Sequence, residues 1–228
     1  MTIRVRVVTP ITTRDERTHA LARELCSPGV QIDVVEISKG PAFIETADDE
    51  ARAEPDTVRQ IVEAERAGVH AAVIDCMGDP GLEAARKAVS IPVLGPCQVS
   101  LHTAAMLGER FSIVTVQPST VALLEERVER HGVSGQLASV SSIDVPVLEL
   151  ETNMERVQAL LCEHALRAVR EKGADVVVLG CTGFLGVAEA IGRHLRDHTG
   201  EQVPVIDPMR LSILTAVTWV RARLSRHA

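Results

Sequence analysis

Residues Ala71–Gly81, AAVIDCMGDPG, return later in the chain as Asp175–Gly186, DVVVLGCTGFLG. Laid over one another at an offset of 105, Gly68 falls on Gly173, Cys76 on Cys181, Gly78 on Gly183 and Gly81 on Gly186. Each copy is an apolar, β-branched run, one further residue, a Cys, a Gly-punctuated turn and then a helical pattern. The pattern predicts a buried strand that delivers one cysteine to a tight strand-to-helix turn, twice.

The rest of the chain repeats around these two copies. Strands are predicted over Ile3–Val8, Gln31–Ile37, Ala71–Asp75 and Ile91–Leu94, then again over Phe111–Val116, Val145–Leu150, Val176–Leu179 and Val203–Ile206. Between them fall helical patterns at Asp15–Leu25, Asp56–Ala67, Gly81–Val89 and Val99–Leu107. The second series is Ser119–His131 (with Ser119 or Thr120 as cap), Met154–Lys172, Gly186–Arg196 and Leu211–Leu224. Ser38–Pro55, with Gly40-Pro41 and an acidic cluster, reads as a long functional or mobile loop. IPVLGP at 91–96 matches VPVIDP at 203–208, now at an offset of 112. Alternating strands and helices imply an α/β fold. We expect two similar lobes with parallel four-stranded sheets, related by a pseudo-twofold, and an active site in the cleft between them. Lobe 1 is expected over 1–98, with the C-terminal helix at 209–228 packing back on it, and lobe 2 over 99–208. Both cysteines then stand at carboxyl ends of strands, where open α/β sheets bind ligands.

Two thiols so placed suggest a chemistry. A cysteine at a strand-to-helix turn has backbone N–H groups beside it, which favour the thiolate. Gly78 and Gly183 leave the following backbone open to a carboxylate or an enolate oxygen. If one sulfur is thiolate and the other thiol, one removes a proton and the other returns one from the opposite face. That is two-base racemisation at a carbon next to a carbonyl, and it needs no cofactor and no metal. A duplicated fold with two structural cysteines would show the same spacing. A non-catalytic small-molecule binding protein is a further alternative.

Composition narrows the partners. The chain of 228 residues carries a formal net charge of −7 and only 2% aromatics, with no Tyr. No basic stripe or stacking surface points to nucleic acid, and no run approaches the roughly 20 apolar residues that span a membrane. The N-terminal MTIRVRVVTP has no apolar signal core, so a cytoplasmic protein is expected, with reduced cysteines. Cysteine spacings match no compact zinc pattern, and neither Gly cluster is a phosphate loop. None of the three lysines falls at a predicted strand end, which argues against pyridoxal chemistry. A small-molecule substrate is the expected partner.

The chain resembles the aspartate/glutamate/hydantoin racemase superfamily over essentially its whole length, and most of all the hydantoin and allantoin racemases. The resemblance rests on Asp75-Cys76-Met77-Gly78-Asp79-Pro80-Gly81, on Gly40-Pro41 followed by Ile44-Glu45, and on Leu179-Gly180-Cys181-Thr182-Gly183. It implies a two-lobed α/β fold, Cys76 and Cys181 as the two catalytic bases, cofactor-independent catalysis and, in many members, homo-oligomers. Amino-acid racemases of the superfamily carry Asn directly after the first Cys and His two after the second; here stand Met77 and Gly183. That points away from free aspartate or glutamate and toward a hydantoin-like substrate or a related amino-acid derivative. The hydantoin branch has an Asn-Pro-Asn turn after strand one, whereas this chain has Thr9-Pro10-Ile11-Thr12, without those amides. A decarboxylase or cis–trans isomerase of the same superfamily is the alternative reading.

Candidate substrate-binding residues are Pro10, Ile11, Phe43, Met77, Gly78, Asp79, Thr115, Thr182 and Gly183. Thr115 is expected to point into the cleft or satisfy a turn, and Phe43 to cover the cleft or pack. Asp79 is expected to cap the helix that begins near Pro80. His102 reads as a core histidine, and Cys26, Cys97 and Cys162 as small buried hydrophobes.

Overall fold

The computed structural model describes residues 2–150 and 152–224. Strand β1 (Ile3–Thr9), helix α1 (Glu16–Leu25), β2 (Val30–Glu36), α2 (Ala47–Arg66), β3 (Ala71–Ile74), α3 (Leu82–Ala88) and β4 (Val93–Leu94) form the first series. After α4 (Pro96–Leu107) the series starts again with β5 (Phe111–Thr115), α5 (Pro118–Arg130), β6 (Leu137–Ser142), α6 (Met154–Lys172), β7 (Val176–Leu179), α7 (Ala188–Thr199), β8 (Val205–Ile206) and α8 (Pro208–Arg221). The chain divides into two compact units, Met1–Pro96 with Met209–Ala228, and Cys97–Pro208.

Each unit contains one four-stranded sheet, ordered β2-β1-β3-β4 in the first and β6-β5-β7-β8 in the second. Every pairing within them is parallel. The fold is therefore the expected α/β class with two sheets of one topology. In each, the chain begins on an inner strand, steps to the edge, then returns to the other side. The strand order reverses between β1 and β3, and again between β5 and β7. That is the position at which such sheets open a crevice beyond their carboxyl ends.

The apolar runs explain the sheet interiors. All four residues of β3, AAVI, and all four of β7, VVVL, are buried, as suits inner strands covered on both faces. In the first unit Ala72 and Ile74 cluster with Val8, Ile61, Leu82 and Val93. In the second Val177 and Leu179 cluster with Leu150, Leu161, Phe184 and Ile191.

Three predicted elements are corrected. The long loop expected over Ser38–Pro55 ends at Thr46, because Thr46 and Asp49 form a reciprocal capping box that starts α2. Pro55 lies inside that helix; it and Ala51 are exposed, so solvent can take the carbonyl that the missing N–H leaves. The strand expected at Val145–Leu150 is instead a single 3₁₀ turn over Val147–Glu149. The edge strand is β6, LASVSS, whose six residues are all only partly buried. Gln117, not Ser119 or Thr120, occupies the cap position of α5, and the Thr120 hydroxyl donates to the Gln117 carbonyl.

Candidate active site

Cys76 stands two residues beyond β3. The Asp75 N–H donates to the Val8 carbonyl at 2.9 Å, which carries the inter-strand pairing one residue past the strand. The chain then turns: the Asp79 N–H donates to the Cys76 carbonyl at 3.1 Å, and Asp79 and Gly81 both adopt positive φ, 50° and 75°. The half-buried Cys76 sulfur receives the Gly78 N–H at 3.4 Å. Asp75 is buried and accepts from the hydroxyls of Thr18, at 2.6 Å, and Thr9, at 3.4 Å.

The second unit repeats this arrangement at the end of β7. The Gly180 N–H donates to the Val114 carbonyl at 2.7 Å. Cys181 opens a 3₁₀ turn over Thr182–Phe184, and its half-buried sulfur receives the Gly183 N–H at 3.3 Å. Thus each thiol meets one backbone N–H from the residue two positions on, at nearly the same distance. Hydrogen bonding to sulfur favours its charged form.

The acidic groups around the two turns differ. Asp79 does not cap α3: Gly81 holds that position with no side-chain bond, and the Asp79 carboxyl instead packs against Gly95, where a Cβ would stand 2.6 Å from Oδ1. In the second unit the matching turn residue is the buried Phe184, and the residue matching Gly95 is Asp207. The Asp207 carboxylate receives the Gly186 N–H at 3.4 Å. Each unit therefore has one buried carboxylate at this place, contributed from opposite sides of the contact.

Glu50, on the first turns of α2, has no place among the sequence candidates. It is 9% exposed and lies against Gly78, where a Cβ would overlap its Oε1 and stand 2.6 Å from Cδ. Gly78 is not among the glycines with positive φ, so it is the carboxylate, not the backbone, that requires a glycine here. The Thr46-x-x-Asp49 capping signal could have placed Glu50 on a helix; nothing in the sequence pairs it with Gly78.

The remaining candidates fall as follows. Met77 and Gly183 are buried, Thr182 is half-buried, and Pro10 is buried beside the half-buried Ile11. Thr12, next along, donates its N–H to the Pro41 carbonyl at 2.9 Å, which ties this turn to the segment bearing Phe43. Phe43 is half-buried. Thr115 is fully buried; its hydroxyl reaches the Gly180 carbonyl at 3.1 Å and the Thr120 hydroxyl at 2.9 Å. His102 is exposed, not a core histidine, because it lies on the outward side of α4, its ring 5.7 Å from that of His131. Cys97 and Cys162 are buried as expected, and burial pushes the Cys162 thiol up. Cys26 is exposed instead, because it ends α1 at the surface. Among the described residues, no helix is long and apolar enough to cross a membrane.

Comparison with known proteins is consistent across sequence and structure. The sequence model described as Asp/Glu/Hydantoin racemase matches residues 7–216. A hydantoin racemase of Pseudomonas sp. (strain NS671) is 34% identical over 220 residues, covering 96% of this chain and 86% of that protein. A hydantoin racemase of Rhizobium meliloti is 38% identical over 176 residues, covering 77% of this chain and 70% of that one. The structure of an allantoin racemase from Klebsiella pneumoniae superposes with a TM-score of 0.91 at 35% identity, covering 98% of this chain and 90% of that chain.

Proposed function

Because this chain belongs to the Asp/Glu/hydantoin racemase family and is an isomerase of the racemase kind, we propose that it inverts a carbon next to a carbonyl in a hydantoin-like substrate. The substrate class is a 5-substituted hydantoin, allantoin or a related amino-acid derivative. Cys76 and Cys181 serve as paired base and acid, without a cofactor. The observation that carries this reading is the repeated turn: a half-buried cysteine past an inner strand, its sulfur bonded to the N–H two residues on.

The chemistry balances without a further reagent. One thiolate takes the proton from the carbon; the C–H electron pair passes toward the adjacent carbonyl oxygen as an enolate. The other thiol gives its proton to the opposite face and becomes the thiolate. The substrate leaves inverted and the two sulfurs have exchanged protonation states. This requires both sulfurs to reach one carbon from opposite sides. Turn N–H groups beside each cysteine are suited to the enolate oxygen, since they are fixed donors that need no reorganisation. Met77, Gly78 and Asp79 in one unit, and Thr182 and Gly183 in the other, contribute the nearest contacts to substrate. Pro10, Ile11 and Phe43 contribute the apolar ones. Thr115 acts behind its turn, through Gly180.

Deuterium uptake in D2O tests the reading. The protein is incubated with each enantiomer of a 5-substituted hydantoin and of allantoin, with free aspartate and glutamate as controls. Exchange and optical rotation are followed together. We expect exchange at the stereogenic carbon with loss of rotation for a ring or ureide substrate, and no loss of rotation in Cys76→Ser or Cys181→Ser, where the remaining thiol can at most exchange one enantiomer with retention. Loss of rotation that persists in either variant would overturn the two-thiol mechanism. No exchange with any of these substrates would overturn the substrate class and move the reading to decarboxylation or isomerisation.

A further inference from the structure

Helix α7 carries His194-Leu195-Arg196-Asp197-His198 along its last turns. Leu195 and, one turn earlier, Ile191 are fully buried in the core of the second unit, which fixes the rotation of the helix about its axis. His194 and His198, four positions apart, then fall on one stripe beside that buried face, His194 half-buried and His198 exposed. Their rings lie together, with centroids 4.0 Å apart and planes tilted by 33°. The pair is remote from the thiol turn of its own unit. Helix α7 is the crossover between the parallel strands β7 and β8. It therefore runs back along the sheet from the end of β7 that bears Cys181, and its last turns lie toward the opposite end.

We propose that His194 and His198 form a two-histidine site for a divalent transition-metal ion that favours imidazole, such as Cu2+, Ni2+ or Zn2+. The racemase reading uses neither residue, so the site stands apart from it. The His198 Nδ1 lies 2.8 Å from the His194 carbonyl oxygen, and since a carbonyl only accepts, Nδ1 carries the proton. In the neutral ring Nε2 then holds the free electron pair, which is how a backbone carbonyl orients a metal-binding histidine. Neither that Nε2 nor either ring nitrogen of His194 has a hydrogen-bond partner among the described residues. A metal–nitrogen bond of about 2.1 Å lets two ligand nitrogens on one ion stand up to about 4 Å apart. Rings 4.0 Å apart meet that span by side-chain rotation alone. Burial, and then the neighbouring His198, lower the His194 value against a smaller effect of Asp197, which favours the neutral ring that a metal needs. Asp197 and the carbonyl end of α7 supply negative potential for a cation. Of the nearby cations, Arg170 donates to the His198 carbonyl and Arg193 pairs with Glu189, so both are engaged away from the ring nitrogens. Arg196, two positions from each histidine, lies on another face of the helix. Water completes the coordination sphere, and affinity should be higher for Cu2+ than for Ni2+ or Zn2+.

The test uses Ni2+ and needs no turnover. Nickel binds imidazole without the thiol oxidation that copper brings, which matters in a chain with five cysteines. The intact chain is titrated with Ni2+ in a calorimeter at about one pH unit above the ordinary histidine value of about 6.5. The histidine ring signals are followed by NMR in a parallel titration. We expect saturable uptake, with the His194 and His198 signals broadened by the paramagnetic ion before those of any other histidine. His194→Gln and His198→Gln should each weaken this binding by roughly tenfold or more, because the chelate loses its second arm. Glutamine is a good helix former, so α7 should persist in both variants, which circular dichroism checks. The proposal is overturned by an absence of uptake, by earlier broadening of other histidines, or by an unchanged affinity in either variant.

Discussion

The hydroxyl of Thr115 donates to the carbonyl oxygen of Gly180, 3.1 Å away and one residue before Cys181. Thr9 holds the corresponding place in the first unit, but its hydroxyl reaches the carboxylate of Asp75. In both, a threonine at the end of an inner strand fastens the residue on which the cysteine hangs.

Thr115→Val should therefore keep the packing and lose the fastening. A buried hydrogen bond of this kind contributes about 0.5–1.5 kcal/mol. Urea unfolding should show a loss of that size, and turnover should fall while the substrate KM changes little. A variant with unchanged stability and turnover would mean that the contact does not hold the turn.

Gly180→Ala tests the same place from the other side. A Cβ on Gly180 would stand 2.8 Å from the Thr115 Cβ, 2.9 Å from the Ile113 Cγ2 and 3.1 Å from the Leu124 Cδ1. The Thr115 Cβ and the Ile113 Cγ2 sit next to the backbone of β5, so they have little room to give. Overpacking of this kind costs about 1–3 kcal/mol, which a shift of the urea midpoint would register.

The two thiols act as one unit if the proton enters on one and leaves from the other. Cys76→Ala and Cys181→Ala should each lower racemisation by roughly 10²–10⁴-fold. The double variant should be no slower than the worse single one, as expected of groups that work only together. Multiplying effects in steady-state kinetics would contradict that.

Asp56 anchors the segment before α2. The Arg59 guanidinium beside it, with the N–H and hydroxyl of Ser38 and the N–H of Lys39, holds its carboxyl well below the usual carboxylate range against the opposing effect of burial. A lowered carboxyl stabilises the folded chain above its unfolded value of about 3.9, and that contribution is lost as pH falls toward the folded value. Asp56→Asn should cost about 1–3 kcal/mol at pH 7. The gap from the native chain should narrow below about pH 4. Chemical unfolding at pH 7, 4 and 3 measures it, and a constant gap would remove the charge from the explanation.

The inner strands and both cysteine turns were legible because burial on two faces leaves continuous apolar runs, as in AAVI and VVVL, with glycine marking the turns. Leu137–Ser142 was not legible, since an edge strand that is half-buried throughout can be built from Ala and Ser and shows neither an apolar run nor clear alternation. Pro55 read as loop punctuation, yet an exposed helical position tolerates it. The thiols were found by their repetition. Glu50 was not, because its significance lies in contact with Gly78, 28 positions away in the chain, and spacing along a sequence does not report such a contact.

Helix α8 lies beyond the whole second unit in the chain, yet its residues belong to the first. Met209, Ile213 and Ala216 are fully buried, and Arg210 pairs with Glu24 of α1. During synthesis, Cys97–Pro208 emerges as one uninterrupted segment and has every strand of its sheet before α8 exists. The first unit begins earlier and finishes later. It must wait while 112 residues are added, on the order of ten seconds at roughly 5–20 residues per second. For that interval the surface that α8 will cover stands open on the nascent chain, so the half translated first is the half most exposed to chaperones and to aggregation.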